Sequence, residues 1–247
     1  MKHIVSFSGG KDSTAMLLMM IEKGMPVDEI LFCDTGVEFP ELYKHIEAVE
    51  SYIGRSITRL KDEHDFWWWF GENTTIKGKH AGVKCGNGWP SMKRRWCTGR
   101  LKERPIQRHC RNHYHGEKVV EYIGIAFDEP KRYKPTETKK MPLYDWGVTE
   151  KQALEYCYAK GFDFGGLYNK FDRLGCYCCP LQGKKGWFTL YRDYPELWGI
   201  CIEKERSREK VAFTALPNNK LLRAYEGEFE AKAGEQNLFA ELLDKAY

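Results

Sequence analysis

Nine residues near the start of the chain, Ser6-Phe7-Ser8-Gly9-Gly10-Lys11-Asp12-Ser13-Thr14, restrict what it can fold into more than any other stretch. They stand between two apolar runs, His3-Ile4-Val5 and Ala15-Met16-Leu17-Leu18-Met19-Met20-Ile21. A short buried strand, a glycine turn and a helix, in that order, form the first half of a parallel βα unit. Such a turn is also how α/β proteins hold phosphate. The two glycines let the backbone approach an anion, the first helical N–H groups point at it, and the helix dipole favours its charge. Lys11 adds a point charge, and Ser8, Ser13 and Thr14 add donors. An ordinary capped turn needs no such set. The Walker pattern is excluded, because Asp12 follows the lysine and Val5 stands where its first glycine would be.

The rest of the chain continues the pattern. Glu29–Cys33 reads as a second strand ending at Asp34-Thr35-Gly36, and Pro40 opens a helix to about Tyr52. Ile57–Leu60 reads as a weaker third strand. Two βα units of this length imply a parallel sheet with right-handed crossovers, with ligands at the carboxyl ends of its strands. That places Ser8–Thr14 and Asp34–Glu38 on one rim. The expected fold class is α/β, a Rossmann-like doubly wound parallel sheet with an α-helical C-terminal extension.

Phe66-Trp67-Trp68-Trp69-Phe70 reads as packing. The glycine-rich stretch Gly71–Pro90 reads as a mobile loop, a lid over the nucleotide. Ser91 to His113 is helical in parts, broken near Gly99 and Pro105. Val119–Ile125 reads as a strand and Lys131–Lys140 as a charged connector. Thr149-Glu150-Lys151-Gln152 forms a capping box for a helix that Gly161 stops. Glu196–Lys210 and Lys220–Leu243 carry helical patterns. The boundary this suggests is 1–140 for the nucleotide-binding domain and 141–247 for a cysteine-containing, mainly helical region.

A chain of 247 residues holds one large α/β domain, or one with an appendage. Its longest apolar run is too short to span a bilayer, and no secretion signal is visible at its start, so a cytoplasmic location without a membrane partner is expected. In that compartment nine cysteines point to metal or redox chemistry rather than disulfides. Net charge is only +4, but between Lys93 and Arg111 eight basic residues face Glu103 alone. Such a patch suits a polyanion, a nucleotide or a nucleic acid, and equally a solvated helix face. His109 and His113, four apart, read as a surface helix end.

The Ser-Gly-Gly-x-Asp-Ser core of the loop resembles the PP-loop of the ATP pyrophosphatases, or adenine nucleotide α-hydrolases. Cys33-Asp34-Thr35-Gly36-Val37-Glu38-Phe39-Pro40-Glu41 is similar to the phosphoadenylyl-sulfate (PAPS) reductase branch. So are Trp96-Cys97-Thr98-x-x-Leu101-Lys102-x-x-Pro105 and Ile123-Gly124-Ile125-Ala126-Phe127-Asp128-Glu129-Pro130-Lys131-Arg132. Pro142-Leu143-x-x-Trp146 and Gly175-Cys176-x-x-Cys179-Pro180 resemble the phage-type and DNA-phosphorothioation members. Ala126 stands where the family often has arginine. True reductases usually have a degenerate loop and a C-terminal Glu-Cys-Gly-Leu-His nucleophile; here the loop is intact and the last cysteine is Cys201.

The resemblance implies ATP use: cleavage between the α and β phosphates, an adenylylated acceptor, and released pyrophosphate. Ser6, Ser8, Gly9, Gly10, Lys11, Asp12, Ser13, Thr14, Asp34, Thr35, Gly124, Glu129 and Arg132 are then the nucleotide-binding candidates. Lys11, Asp12, Asp34, Arg100 and Lys102 are the catalytic ones, with Asp12 and Asp34 to hold Mg²⁺. Cys176-x-x-Cys179 is a chelating pair by spacing. The family signature makes Cys97 the third ligand, and Cys85 is the best fourth. Four thiolates suit a [4Fe–4S] cluster or Zn²⁺, and the resemblance favours the cluster. The leading expectation is an adenylating sulfurtransferase with a sulfur-donor protein and a nucleic-acid acceptor as candidate partners. The alternatives are a sulfonucleotide reductase and a nucleic-acid-binding subunit with a regulatory ATP site.

Overall fold

The structure is a computed structural model that describes residues 1–74, 81–208, 215–216 and 218–244, the side chains of 236–244 excepted. Part of the expected lid, including Gly78, and the end of the Glu196–Lys210 helix lie outside the described residues. By its contacts the chain forms two compact units. The first comprises residues 1–65, 98–169 and 174–176; the second comprises 66–97, 170–173 and 177–247. Residue 140 falls inside the first unit.

The first unit is a five-stranded, all-parallel sheet with flanking helices, an α/β Rossmann-like fold. Its strands are β1 (Lys2–Ser6), β2 (Glu29–Cys33), β3 (Thr58–Leu60), β4 (Val119–Ile123) and β5 (Lys139–Lys140), in the order β3-β2-β1-β4-β5. Ile4 pairs with Glu29 on one side of β1 and with Glu121 on the other. The chain winds outward from β1 through β2 to β3, then returns to place β4 on the other side. The order therefore reverses between β1 and β4, the position at which open α/β sheets bind ligands.

The helices follow from local signals. Helix α1 (Lys11–Glu22) stops at Gly24, whose φ is +65°. Helix α2 (Pro40–Ile53) begins on a proline and ends at Gly54 in the left-handed region. Helix α3 (Phe66–Gly71) and the single turn α4 (Trp96–Thr98) precede a π-helical turn, Gly99–Glu103, which runs into α5 (Arg104–His113). The break expected at Pro105 does not occur: the wider π-helical turn runs straight into α5 with αR dihedrals at Glu103 and Arg104, and the chain stays helical through the proline. Helix α6 (Pro142–Asp145) leads to α7 (Glu150–Ala159), which carries the full Thr149–Gln152 capping box, and then to α8 (Leu167–Lys170).

Val5, Phe7, Ile30 and Phe32 of the sheet pack with Ala15, Met16, Leu17 and Met20 of α1 and with Leu42, Ile46 and Val49 of α2. Each such buried side chain contributes on the order of 1.5–3 kcal/mol. One polar residue sits among them. His45 is 5 % exposed, shares a 3.0 Å hydrogen bond with the Thr14 hydroxyl, and packs 4.3 Å from the Phe164 ring. Burial pushes its imidazole down to about 4, against a smaller upward pull from Asp163. In the unfolded chain His45 titrates near 6.5, so between about pH 6.5 and 4 the unfolded state binds the extra proton. This contribution to stability is complete above the unfolded value and is lost as pH falls, by about 3 kcal/mol at most. Urea unfolding at pH 7.5 and pH 5 should show a drop in midpoint that His45→Leu reduces.

The second unit has an aromatic core. Trp67, Phe70, Trp89 and Trp187 meet edge to face at centroid distances of 4.8–6.1 Å. The unit includes α9 (Gly183–Asp193), α10 (Pro195–Ser207) and α11 (Glu226–Asp244). The buried Glu205 carboxylate accepts from the Trp89 indole and from the amides of Leu222 and Arg223. The residues of the expected lid that follow the undescribed stretch are pinned rather than free. The amides of Gly86, Asn87 and Gly88 donate to carbonyls of Asn73, Trp69 and Phe70, and the Arg208 guanidinium holds the Cys85 carbonyl. No helix among the described residues is long and apolar enough to cross a membrane.

Candidate functional site

The loop between β1 and α1 lies at the reversal of the sheet. Gly9 adopts φ +75°, and a side chain there would strike Leu42 Cδ1 at 2.8 Å. Ser13 Oγ donates to the Gly10 carbonyl, accepts from the Ser8 amide, and lies 3.0 Å from Ser8 Oγ. The two serines thus clamp the turn from inside. Gly124, just past β4, is needed for packing: a Cβ there would lie 2.8 Å from the Ser13 nitrogen and 2.9 Å from the Asp12 carbonyl carbon. Only a bare backbone lets the end of β4 come this close to the first turn of α1.

Lys11 is held at every polar group. Its amide donates to the Tyr168 hydroxyl at 2.8 Å, its carbonyl faces the Cys157 thiol at 3.5 Å, and its ammonium bonds Asp12 at 2.9 Å and Glu150 at 3.2 Å. Burial raises the Asp12 carboxyl above its ordinary value, and the Lys11 charge and hydrogen bond only partly offset this. The ammonium therefore sits between two carboxylates at the mouth of the loop.

A second group gathers at the end of β2. Asp34 accepts from the Gly36 amide (2.9 Å), the Tyr43 hydroxyl (2.7 Å) and the Lys61 ammonium (2.8 Å). Burial alone would raise its carboxyl, but these three partners outweigh it and hold the group below the usual range. The Thr35 hydroxyl donates to buried Glu38 at 2.8 Å, and Cys176 Sγ lies 3.5 Å from Thr35 Oγ1 and 3.6 Å from Glu38 Oε1. The π-helical turn bearing Arg100 and Lys102 stands beside this strand end, with the Lys102 carbonyl 3.5 Å from Cys33 Sγ. Burial pushes the Cys33 thiol up to about 11.

Several expected site residues have partners away from the loop. The Thr14 hydroxyl turns into the core toward His45, and Ser6 Oγ donates to Glu121 across the sheet at 2.6 Å. Arg132 pairs with Glu129 Oε1 at 2.5 Å, while Glu129 Oε2 is buried without a hydrogen-bond partner among the described residues. His109 is no surface residue: its Nε2 is 2.8 Å from Glu29, which also accepts from the Tyr114 and Thr58 hydroxyls.

The four cysteines expected as ligands are divided between the two units. Cys176 belongs to the first unit, and Cys85, Cys97 and Cys179 to the second. Among the described residues, no three His, Cys, Asp or Glu side chains are grouped so as to hold a metal ion. Cys85 is 3 % exposed, and Cys176 lies beside Thr35 and Glu38. Tyr168, Glu150 and His45 escaped sequence reasoning, and Glu38 was placed on the rim with Asp34 but not named as a site residue. Glu150 carried a signal, as the first residue after a helix cap, but nothing tied it to Lys11.

Comparison with known proteins bears on the same residues. An uncharacterised protein of Methanocaldococcus jannaschii is 30% identical over 208 residues, covering 79% of this chain. The chain spans 39–51% of the length of the curated relatives it matches. Among solved structures, the PAPS reductase of Candida auris in a phosphate complex is 16% identical with a TM-score of 0.47, covering 70% of this chain and 80% of that one. The U34-tRNA thiolase NcsA of Methanococcus maripaludis with its [4Fe-4S] cluster is 16% identical with a TM-score of 0.43, covering 93% and 72%. The phosphoadenosine phosphosulfate reductase domain matches residues 2–182, from the first strand past the last paired cysteine, and so takes in the loop, the β2 rim and the Gly124 segment together. On that match, the chain belongs to the phosphoadenosine phosphosulfate reductase domain family.

Proposed function

We propose that the chain binds ATP with its β and γ phosphates on the Ser8–Thr14 loop and transfers the adenylyl group to an acceptor, releasing pyrophosphate, in a sulfur-transfer reaction. The observation that carries this reading is the loop itself: an intact double-glycine turn on a helix N-terminus, with the buried Lys11 ammonium poised between two carboxylates. In the reaction an acceptor oxygen or sulfur attacks the α phosphorus, the bond to the bridging oxygen breaks, and pyrophosphate leaves with that electron pair. Lys11 and the first-turn amides of α1 stabilise the charge that builds there. Magnesium arriving with the nucleotide needs only one or two carboxylates. Asp12 and Glu150, both paired with Lys11, and Asp34, bonded to Tyr43, Gly36 and Lys61, are the carboxylates that would hold it. Arg104, Arg108 and Arg111, spaced four and three apart, are exposed on one side of α5 and support a polyanionic acceptor such as nucleic acid.

Reductive cleavage of a sulfonucleotide is the second reading, favoured by the family match and by the Cys176 thiol beside Glu38 and Thr35. Cys201 does not serve it as nucleophile: it is fully buried, and burial drives its thiol far above the ordinary range. Labelled ATP with a panel of RNA, DNA and protein acceptors separates the two. Pyrophosphate release that falls about a hundredfold in Lys11→Ala supports adenylylation. Sulfite release from phosphoadenylyl sulfate with thioredoxin, and no pyrophosphate from ATP, overturns it in favour of reduction.

A further inference from the structure

The residue that meets the loop from farthest along the chain is Tyr168, 157 positions from Lys11. Its ring packs edge-on to Phe164 at 4.9 Å, and its hydroxyl lies where a side chain at Gly10 would meet it at 3.4 Å. It accepts the Lys11 amide at 2.8 Å. That amide is one of those a helix start leaves without an intrahelical partner, and one that a phosphate-binding loop would use. A tyrosine hydroxyl accepts and donates at once. Among the described residues the Lys11 amide is its single hydrogen-bond partner, so its own proton has no acceptor. Burial pushes this hydroxyl far above the ordinary tyrosine range, so it keeps that proton. A donor whose oxygen is fixed on the first-turn amide, at the mouth of a glycine turn suited to anions, has an obvious use.

We propose that Tyr168 is a phosphate-binding residue of the loop, relaying the Lys11 amide into an O–H donated to an oxygen of the bound pyrophosphate group. This rests on the reading of the loop as an ATP site. Hydrogen bonds to charged oxygens are stronger than neutral ones, so losing this donor should weaken binding about tenfold. Tyr168→Phe keeps the ring and its contact with Phe164 and removes only the hydroxyl.

The test is calorimetric titration of the full-length wild type and Tyr168→Phe with inorganic pyrophosphate, with ATP, and with AMP, which lacks the phosphates assigned to the loop. The expected result is about tenfold weaker pyrophosphate and ATP binding with AMP unchanged. Equal affinities overturn the proposal, as does tighter pyrophosphate binding, which would make the hydroxyl an obstruction. Weakening of all three ligands alike also overturns it, because it reports distortion of the fold. If the wild type binds neither ATP nor pyrophosphate, the reading of the loop falls and the proposal falls with it.

Discussion

Alanine at Gly124 is expected to weaken ATP binding by more than about a hundredfold and to cost about 2–3 kcal/mol of stability. The new methyl would lie 2.8 Å from the Ser13 nitrogen, 2.9 Å from the Asp12 carbonyl carbon and 3.0 Å from its oxygen. All three are backbone atoms, so no rotamer change relieves the contact. The first turn of α1 must retreat, and the amides proposed to hold phosphate retreat with it. Small displacements matter here, since the strength of an electrostatic cradle lies in its fixed geometry. Calorimetry with ATP and urea unfolding would measure both effects. Undiminished binding in the variant would show that phosphate does not depend on this turn.

Alanine at Gly86 is expected to be more damaging still, at about 4 kcal/mol or above, through a different part of the chain. Its φ of +60° already disfavours a side chain, and the added carbon would lie 2.1 Å from the Phe70 carbonyl oxygen and 2.5 Å from the Gly71 nitrogen. Gly86 also anchors the ladder in which its own amide and those of Asn87 and Gly88 close onto Asn73, Trp69 and Phe70. Backing away would break these bonds and open the Trp67–Phe70–Trp89 packing. Tryptophan emission during urea unfolding should report an early transition in the variant. A midpoint within about 1 kcal/mol of wild type would show that the loop rearranges at little cost.

How far these features could be read in advance depends on the range of the interactions behind them. The β1–loop–α1–β2 segment was legible because glycine, hydroxyl and apolar spacing act over a few residues; so were the Pro40 start and the Thr149 cap. The π-helical turn at Gly99–Glu103 was not, since a single widened turn leaves no periodic trace. Nor was β5, two charged residues made a strand only by pairing with Glu121 and Tyr122. The loop residues were named from sequence, but their division of labour was not. Thr14 turns inward because His45, 31 positions away, offers a buried partner, and Lys11 is fixed by Glu150, Cys157 and Tyr168. The cysteine spacing suggested a shared centre, yet it says nothing about the fold between residues 85 and 176.

The interleaving of the two units bears on how the protein can be cut, fused or grafted. The chain passes between them after residues 65, 97, 169, 173 and 176, so no single cleavage point yields two intact pieces. A fragment ending at residue 182, where the family match stops, would keep Trp67 and Trp89 but lose Trp187, which packs on Trp89, and Glu205, which accepts from the Trp89 indole. It would present bare indoles to solvent and invite aggregation, however complete the nucleotide loop remained. Reporter fusions and minimal versions of this protein should therefore keep the 66–97 segment and the helices after residue 183 together.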